Sequence, residues 1–323
     1  MNKYEKLGYL TSPFRIFHLI DNNLGEIPFH YHDFHKILIH LSGNCSYSIE
    51  GRSYELMPYD IVLVNAGEVH RPVLHNLPDI SSHKNPDNII TNSYGRQIRQ
   101  DNPIQNTAKS SSVYERIIIY VSKEYLDEKS GQDFDLGLCF KQAQEKQSHV
   151  LRLPAFPSTP LSKAVKVLDE SNKGNDYAKK LHHEISFLEF MIQLNRATLN
   201  ERTEYLATSS GNQKMVEVID YLNQNLTSDM SVDTIAGKFY ISRYHLMHSF
   251  KEETGYSIGN YITTKRLLLA KSLIASGQSI SDACFNCGFK NYSTFSRAYK
   301  KAFGQCPSQT DANAQPKHLS IVE

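Results

Sequence analysis

Residues 231–255 read SVDTIAGKFYISRYHLMHSFKEETG, and residues 279–304 repeat the unit as SISDACFNCGFKNYSTFSRAYKKAFG. Val232, Ile235, Ala236 and Phe239 of the first copy correspond to Ile280, Ala283, Cys284 and Cys287 of the second. After a turn, Leu246 and Phe250 correspond to Phe295 and Tyr299, with one extra residue in the second turn. Ser242 and Asn291 can accept from the first free N–H groups of a helix, and Gly255 and Gly304 suit a left-handed helix stop. Each copy therefore predicts a short helix, a tight turn and a capped second helix, the helix-turn-helix arrangement. Residues 257–276 (SIGNYITTKRLLLAKSLIAS) contain no proline and place Ile258, Tyr261, Ile262, Leu268, Leu269 and Ile274 at helical spacing, which predicts one long connecting helix.

This order of parts, with YITTKRLLLAKSLI between the repeats and CGFKNYSTFSRAYKKAFGQCPSQ at the end, resembles the DNA-binding domain of the AraC/XylS family of transcription regulators. The resemblance covers about the last third of the chain and departs from the family at Thr310-Asp311, where a Tyr-Arg pair is usual. It implies that the start of each second helix enters the major groove. Arg243, Tyr244, Met247 and His248 then face DNA in the first unit, and Tyr292, Ser293, Ser296 and Arg297 in the second. Arg297 has the forked donor geometry that reads guanine. Lys251, Lys300 and Lys301 suit phosphate contacts. Where family members often carry Arg, this chain has His248.

Upstream, residues 14–19, 36–41, 45–50, 61–65 and 116–121 are short runs rich in β-branched or aromatic residues, separated by Gly, Asn, Pro and Asp. Ile49-Glu50-Gly51-Arg52 is a hairpin signal and Met57-Pro58-Tyr59-Asp60 a second turn. Strands at this spacing predict a small barrel or jelly roll. The segment HYHDFHKILIHLSGNCSYSIEGRSYELMPYDIVLVNAGEVHRP (residues 30–72) resembles the cupin-like sensor barrel of AraC-type regulators. His30, His32 and His70 resemble the metal-binding histidines of cupin enzymes, but Lys36 stands where that pattern has Glu, and Asn65 where it has Pro. A cation at a ligand position argues for a metal-free pocket, so the expected metal and cofactor are both none. His30, His32, Lys36, Tyr47 and His70 are expected to bind a polar, acceptor-rich effector, such as a sugar, as hydrogen-bonding groups. Phe14, Phe34 and Tyr47 are candidates for stacking on its ring.

Residues 76–112 are rich in Asn and Ser and read as a surface loop inserted in the barrel, or as a lid over the pocket or a partner contact. Leu161, Val165 and Leu168 share a helical face. Leu181, Ile185, Leu188, Ile192, Asn195 and Leu199 step by four and three, the spacing of a helix seam, while Phe187, Phe190, Met191 and Leu194 form a second apolar face. A helix apolar on both faces predicts packing on its own barrel and on a second copy.

Of the five cysteines, Cys284 and Cys287 form a CxxC; at helical spacing both fall on the inward face, which predicts core packing rather than metal or redox use. The net charge is +1, with 12 Lys and Arg against 9 Asp and Glu from residue 212 onward and 23 against 25 before it. That asymmetry has the sign expected of a DNA-binding C-terminal part, but the repeat carries the reading further than the charge does. The opening MNKYEKLGYLTSPFRI lacks the apolar core of a signal peptide, no apolar run reaches bilayer length, and an odd number of cysteines suits reduced thiols, so a cytoplasmic location without a membrane is expected.

The expected fold is two-domain. It has a cupin-like β-barrel (residues 1–155, insertion 76–112), dimerisation helices (156–202), a linker (203–212), an all-α domain of two helix-turn-helix units (213–310) and a tail (311–323). The expected function is a sequence-specific transcription regulator, not an enzyme, whose partners are double-stranded DNA, a small-molecule effector, a second copy of the chain and RNA polymerase. Two alternatives stay open on the sequence alone: a metal-dependent cupin enzyme fused to a DNA-binding domain, and a constitutive DNA-binding dimer without effector.

Overall fold

Apolar residues on both faces of a strand require packing on both sides of its sheet, and β2 (His35–Ser42), β5 (Ile61–Val64) and β9 (Tyr114–Val121) are built that way. The computed structural model describes residues 10, 12–21, 25–75, 89–91, 97–99, 113–173, 177–209 and 211–309. The strands named above join β1 (Phe14–Asp21), β10 (Val150–Arg152) and β11 (Glu204–Tyr205) in a six-stranded sheet of order β1-β9-β2-β5-β10-β11. Ile37, Ile39, Ile61, Leu63, Ile117 and Ile119 project to one side. There they meet α1 (Lys123–Lys129), α2 (Leu138–Glu145), α3 (Pro160–Ser171) and α4 (Lys179–Thr198). Leu38, Val62, Val64, Ile118 and Tyr120 project to the other side and form a second core with Tyr47, Ile49 and Tyr54.

Tyr47, Ile49 and Tyr54 belong to a three-stranded sheet of order β4-β3-β6, made of β3 (Cys45–Ile49), β4 (Arg52–Glu55) and β6 (His70–Leu74). The β3–β4 hairpin turns at Glu50 (φ 49°) and Gly51 (φ 75°), the left-handed pair that a two-residue hairpin requires. The second turn also forms, with Tyr59 at φ 76° and Asp60 N–H donating to the Met57 carbonyl at 3.0 Å. Among the described strands the two sheets do not close into a continuous hydrogen-bonded barrel. They face each other as a sandwich, linked at one corner by a backbone bridge between His30 and His70. The barrel expectation is corrected to that extent: β6 meets only an isolated residue on its outer side, not a full strand.

Within 76–112 the described residues form β7 (Ile89–Thr91) and β8 (Gln97–Arg99), an antiparallel pair. The rest of that insertion and the tail 311–323 lie outside the described residues.

The C-terminal part is helical: α5 (Gln213–Gln224), α6 (Val232–Lys238), α7 (Arg243–Thr254), α8 (Ile258–Ala275), α9 (Ile280–Asn286) and α10 (Tyr292–Phe303). Ser231, Ser242, Ser257, Ser279 and Asn291 each accept a hydrogen bond from the backbone three residues on, and Gly255 and Gly304 take left-handed conformations at the stops of α7 and α10. Ile258, Tyr261 and Ile262 of α8 pack into the first helix-turn-helix core, whereas Leu267 and Ala270 pack into the second. One helix thus belongs to both cores and holds the two units together. Cys284 and Cys287 are fully buried in the second core, as their spacing predicts, and burial raises both thiols above their ordinary pKa.

The seam expected on α4 divides. Leu181, Ile185, Ile192 and Leu199 are 58%, 55%, 37% and 62% exposed, and Leu188 packs in part against the core. Asn195 instead turns inward. Its Oδ1 accepts from Cys139 N–H at 2.9 Å, and its Nδ2 donates to the carbonyls of Leu136 (2.9 Å) and Asp135 (3.3 Å), tying α4 to the start of α2. Asn195→Leu removes the partners of the buried Cys139 N–H and Leu136 carbonyl, while the Asp135 carbonyl keeps Leu138 N–H, and each buried group so orphaned costs about 1–3 kcal/mol. The expected loss is roughly 2–4 kcal/mol of stability in urea denaturation, well above the surface-substitution range.

Candidate functional site: two helices facing solvent and a histidine-lined pocket

The two second helices of the repeats show solvent the faces that the inward residues leave over. Leu246, Phe250, Phe295 and Tyr299 are fully buried. Arg243, Tyr244, Met247, His248 and Lys251 of α7 are exposed, as are Tyr292, Ser293, Arg297 and Lys300 of α10; Ser296 is half-buried. Local pairs hold several of these side chains. Arg243 Nη1 donates to both carboxylate oxygens of Asp233 at 2.9 and 2.8 Å. His248 Nδ1 lies 3.2 Å from Glu252 Oε2, and its ring stacks with Tyr244. Arg297 Nε donates to its own helix at Ser293 O, 3.2 Å away, which leaves the end of the fork outward. Tyr240, which sequence reasoning passed over, is 93% exposed in the turn of the first unit and adopts φ 54°; Gly288 occupies the matching place in the second turn at φ 95°.

The period-2 alternation that sends Ile37 and Ile39 to the helices sends Lys36 and Leu38 between the two sheets. There a cavity of about 270 Å³ is lined by His30, Lys36, Tyr47, Asp21, Arg116 and several apolar side chains. Lys36 is 3% exposed; its Nζ donates to Tyr47 Oη at 2.8 Å and lies 3.5 Å from His70 Nε2. Burial, followed by the charge of Lys36, holds His70 well below its ordinary pKa, so this ring is neutral. Of the five expected effector residues, His30, Lys36 and Tyr47 line the cavity, while His32 and His70 stack behind it with His30. Phe34 stacks on His32 at 4.6 Å; Phe14, in contrast, packs against Phe187 on the helix side and takes no part in the cavity. Arg116, paired with Asp21 at 2.5 Å, was not evident from the sequence because its partner is 95 residues away.

A third cluster joins the sandwich to the helical part. Glu50, at the tip of the β3–β4 hairpin, is 3% exposed. Its Oε1 accepts from Val69 N–H (2.7 Å) and Lys265 Nζ (2.8 Å), and its Oε2 accepts from Tyr261 Oη and Asn223 Nδ2 (3.4 Å). Burial and the adjacent Glu50 carboxylate raise the Tyr261 phenol well above its ordinary pKa, so it remains a donor. Arg52 donates to Asp220 at 2.7 Å, and Lys271 pairs with Asp33 across the same junction. Val69 is part of the first helix-turn-helix core, and a Cβ added to Gly51 would stand 2.9 Å from Ile219 Cδ1.

Comparison with known proteins agrees with this division. An AraC-like ligand binding domain model matches residues 21–77, and a helix-turn-helix domain model matches residues 235–313. The chain is similar to the HTH-type transcriptional activator RhaS of Escherichia coli strain SMS-3-5, 21% identical over 286 residues that cover 87% of this chain and 86% of that protein. The RhaS activator of Escherichia fergusonii is 22% identical over 290 residues, covering 88% and 87%. Among solved structures, ToxT from Vibrio cholerae aligns over 92% of this chain and 97% of its own at 14% identity, with a TM-score of 0.33. The two RhaS proteins are transcriptional activators, which favours the regulator reading over the fused cupin enzyme. With an AraC-like ligand-binding match ahead of a helix-turn-helix match, and activators aligning along nearly the whole length, the chain has the domain order of an AraC-type transcription regulator and is similar to such regulators from end to end.

Proposed function

We propose that this DNA-binding regulator is an activator switched by a small, acceptor-rich effector held at Lys36. The observation that carries the reading is the short path from cavity to DNA-binding helices. Lys36 neighbours His70; His70 follows Val69; the Val69 N–H is held by Glu50; and Glu50 holds Tyr261 and Lys265 on the helix shared by both units. Each step is a hydrogen bond or a peptide link, and strain in the cavity reaches α8 without crossing solvent. The Lys36 ammonium already donates to Tyr47 at the cavity wall, and a hydroxylated or carboxylate-bearing ligand such as a sugar or sugar acid would add acceptors to that network. Lys36→Met keeps most of the stem and removes the charge. The expected result is a folded protein that binds DNA as before but loses its transcriptional response and its calorimetric heat with the effector. Unchanged effector affinity would take Lys36 out of the site and sink this reading.

On DNA, Arg297 is the base reader of the second unit, with Tyr292, Ser293 and Ser296 beside it. Arg243, Tyr244, Met247 and His248 read in the first, and Lys251, Lys300 and Lys301 hold phosphates. Arg297→Ala is expected to cost roughly 1–3 kcal/mol at the operator and relax preference at one base pair. Lys300→Ala is expected to weaken all sequences alike and flatten the salt dependence. Competition binding against operators varied at single positions distinguishes the two outcomes.

The exposed stripe of Leu181, Ile185, Ile192 and Leu199 on α4 supports pairing with a second copy. Because Ile185 is exposed within one chain, Ile185→Asp is expected to leave the fold intact and shift the protein to monomer in sedimentation at micromolar concentration. An unchanged dimer would remove the stripe from the interface. The regulator acts in the cytoplasm, with RNA polymerase as its downstream partner; no helix among the described residues is long and apolar enough to cross a membrane.

A further inference from the structure

The two repeats differ in charge far more than in shape. Residues 231–255 hold Lys238, Arg243 and Lys251 against Asp233, Glu252 and Glu253, a balance of zero. Residues 279–304 hold Lys290, Arg297, Lys300 and Lys301 against Asp282, a balance of +3. The whole chain carries +1, so setting the second unit's +3 aside leaves −2 for everything else. Local pairing widens the contrast. In the first unit Arg243 gives both of its short contacts to the Asp233 carboxylate, and His248 lies beside Glu252. In the second, α10 contains no acidic residue. Among the described residues Lys290 pairs with Asp229, whereas Arg297, Lys300 and Lys301 meet no carboxylate. A carboxylate next to a cation cancels most of its field at a phosphate beyond it, and salt screens the remainder over about 8 Å.

The turns differ as well. A Cβ added to Gly288 would stand 2.9 Å from Thr227 Cα and 3.0 Å from the Leu226 carbonyl oxygen, so packing requires glycine in the second turn. Tyr240 takes the matching left-handed place in the first turn, almost fully exposed, although that conformation disfavours a bulky side chain. Neither packing nor backbone geometry requires tyrosine there. It stands two residues before the N-cap Ser242, at the end of α7 that a helix-turn-helix turns toward the major groove. With the exposed Tyr244 and Met247 it makes a surface that is aromatic and apolar rather than charged.

We infer that the two units divide the work: the second anchors the chain to phosphates of any sequence, and the first discriminates between sequences with no net charge, through Tyr240, Tyr244 and Met247. The inference rests on the DNA-binding reading of α7 and α10. Phosphate contacts are the same on every sequence, whereas contacts to base edges and thymine methyls are not. An uncharged face therefore gains little from non-specific DNA and much from a matched half-site, and apolar side chains favour one that presents thymine methyls. Asp233 adds to this. It occupies Arg243 until the groove offers that guanidinium an equal partner, which restrains non-specific attachment by the first unit.

The test measures binding of the full-length protein across a salt series to two labelled duplexes: one of random sequence, and the one that the protein selects from a random library. On the random duplex each phosphate contact contributes about 0.9 to the slope of log affinity against log salt. Replacing Lys300 and Lys301 together by Ala is expected to lower that slope by about 1.8. Asp233→Asn, which releases Arg243, is expected to raise it by about 0.9 and to tighten binding to the random duplex. Tyr240→Gly copies the second turn and relieves the backbone. It is expected to cut the preference for the selected duplex over the random one about fivefold or more, the size of a lost base-pair contact. Melting curves establish that each variant is folded, and if one is not, the other two decide. A folded lysine variant with the wild-type slope overturns the inference. So does folded Asp233→Asn with unchanged slope and affinity, or folded Tyr240→Gly with unchanged preference. Wild-type protein that binds neither duplex overturns the DNA-binding reading itself.

Discussion

A carboxylate buried at a junction between two parts of a chain is stable only if donors from both sides surround it, and Glu50 meets that condition. One side supplies the Val69 N–H; the other supplies Lys265, Tyr261 and Asn223. A buried ion with fewer partners would cost several kcal/mol, so the hairpin tip and the connecting helix are constrained to stay in register. The placement matters for function because α8 is shared by both helix-turn-helix cores. A displacement of α8 relative to the sandwich moves both helix-turn-helix units together, whereas a contact on α6 or α9 would move one.

The cavity follows from the same economy of construction. Strands β2, β5 and β9 are covered by helices on one face and by the small sheet on the other, so their side chains fall into two separate cores. Lys36 occupies an inter-sheet position where an apolar residue would otherwise fill space. With Tyr47 opposite and the paired Arg116 and Asp21 at the rim, the sandwich keeps a polar cleft at its centre. A protein that only needed a dimerisation platform would be more stable with that position apolar.

The parts legible in the sequence are those whose causes are local. Ser242, Asn291, Gly255 and Gly304 act within one turn of helix, so both repeats could be drawn from caps and stops, and the Glu50-Gly51 hairpin could be drawn from its left-handed pair. Lys36 and Tyr47 could be selected because strand alternation fixes their side, whereas His30 and His32 precede β2 and lie outside the named strands, so alternation does not place them. Elements of low periodic signal were not legible: β4, β6, β10 and β11 are five residues or fewer, and α1 is short and mostly charged. The inward turn of Asn195 was hidden because a helix apolar all round does not reveal which polar residue is buried. The roles of Glu50 and Arg116 depend on partners up to 215 and 95 residues away.

Scanning calorimetry of Glu50→Gln tests the central claim, that this carboxylate couples the sensing part to the DNA-binding part. Glutamine keeps the shape but turns an amide donor toward donors and removes the charge opposite Lys265. The account expects the sandwich and the helical part, coupled in the wild type, to melt as two separated transitions in the variant, with each part still folded at low temperature. A variant that melts with the same transitions and the same separation as the wild type would contradict it.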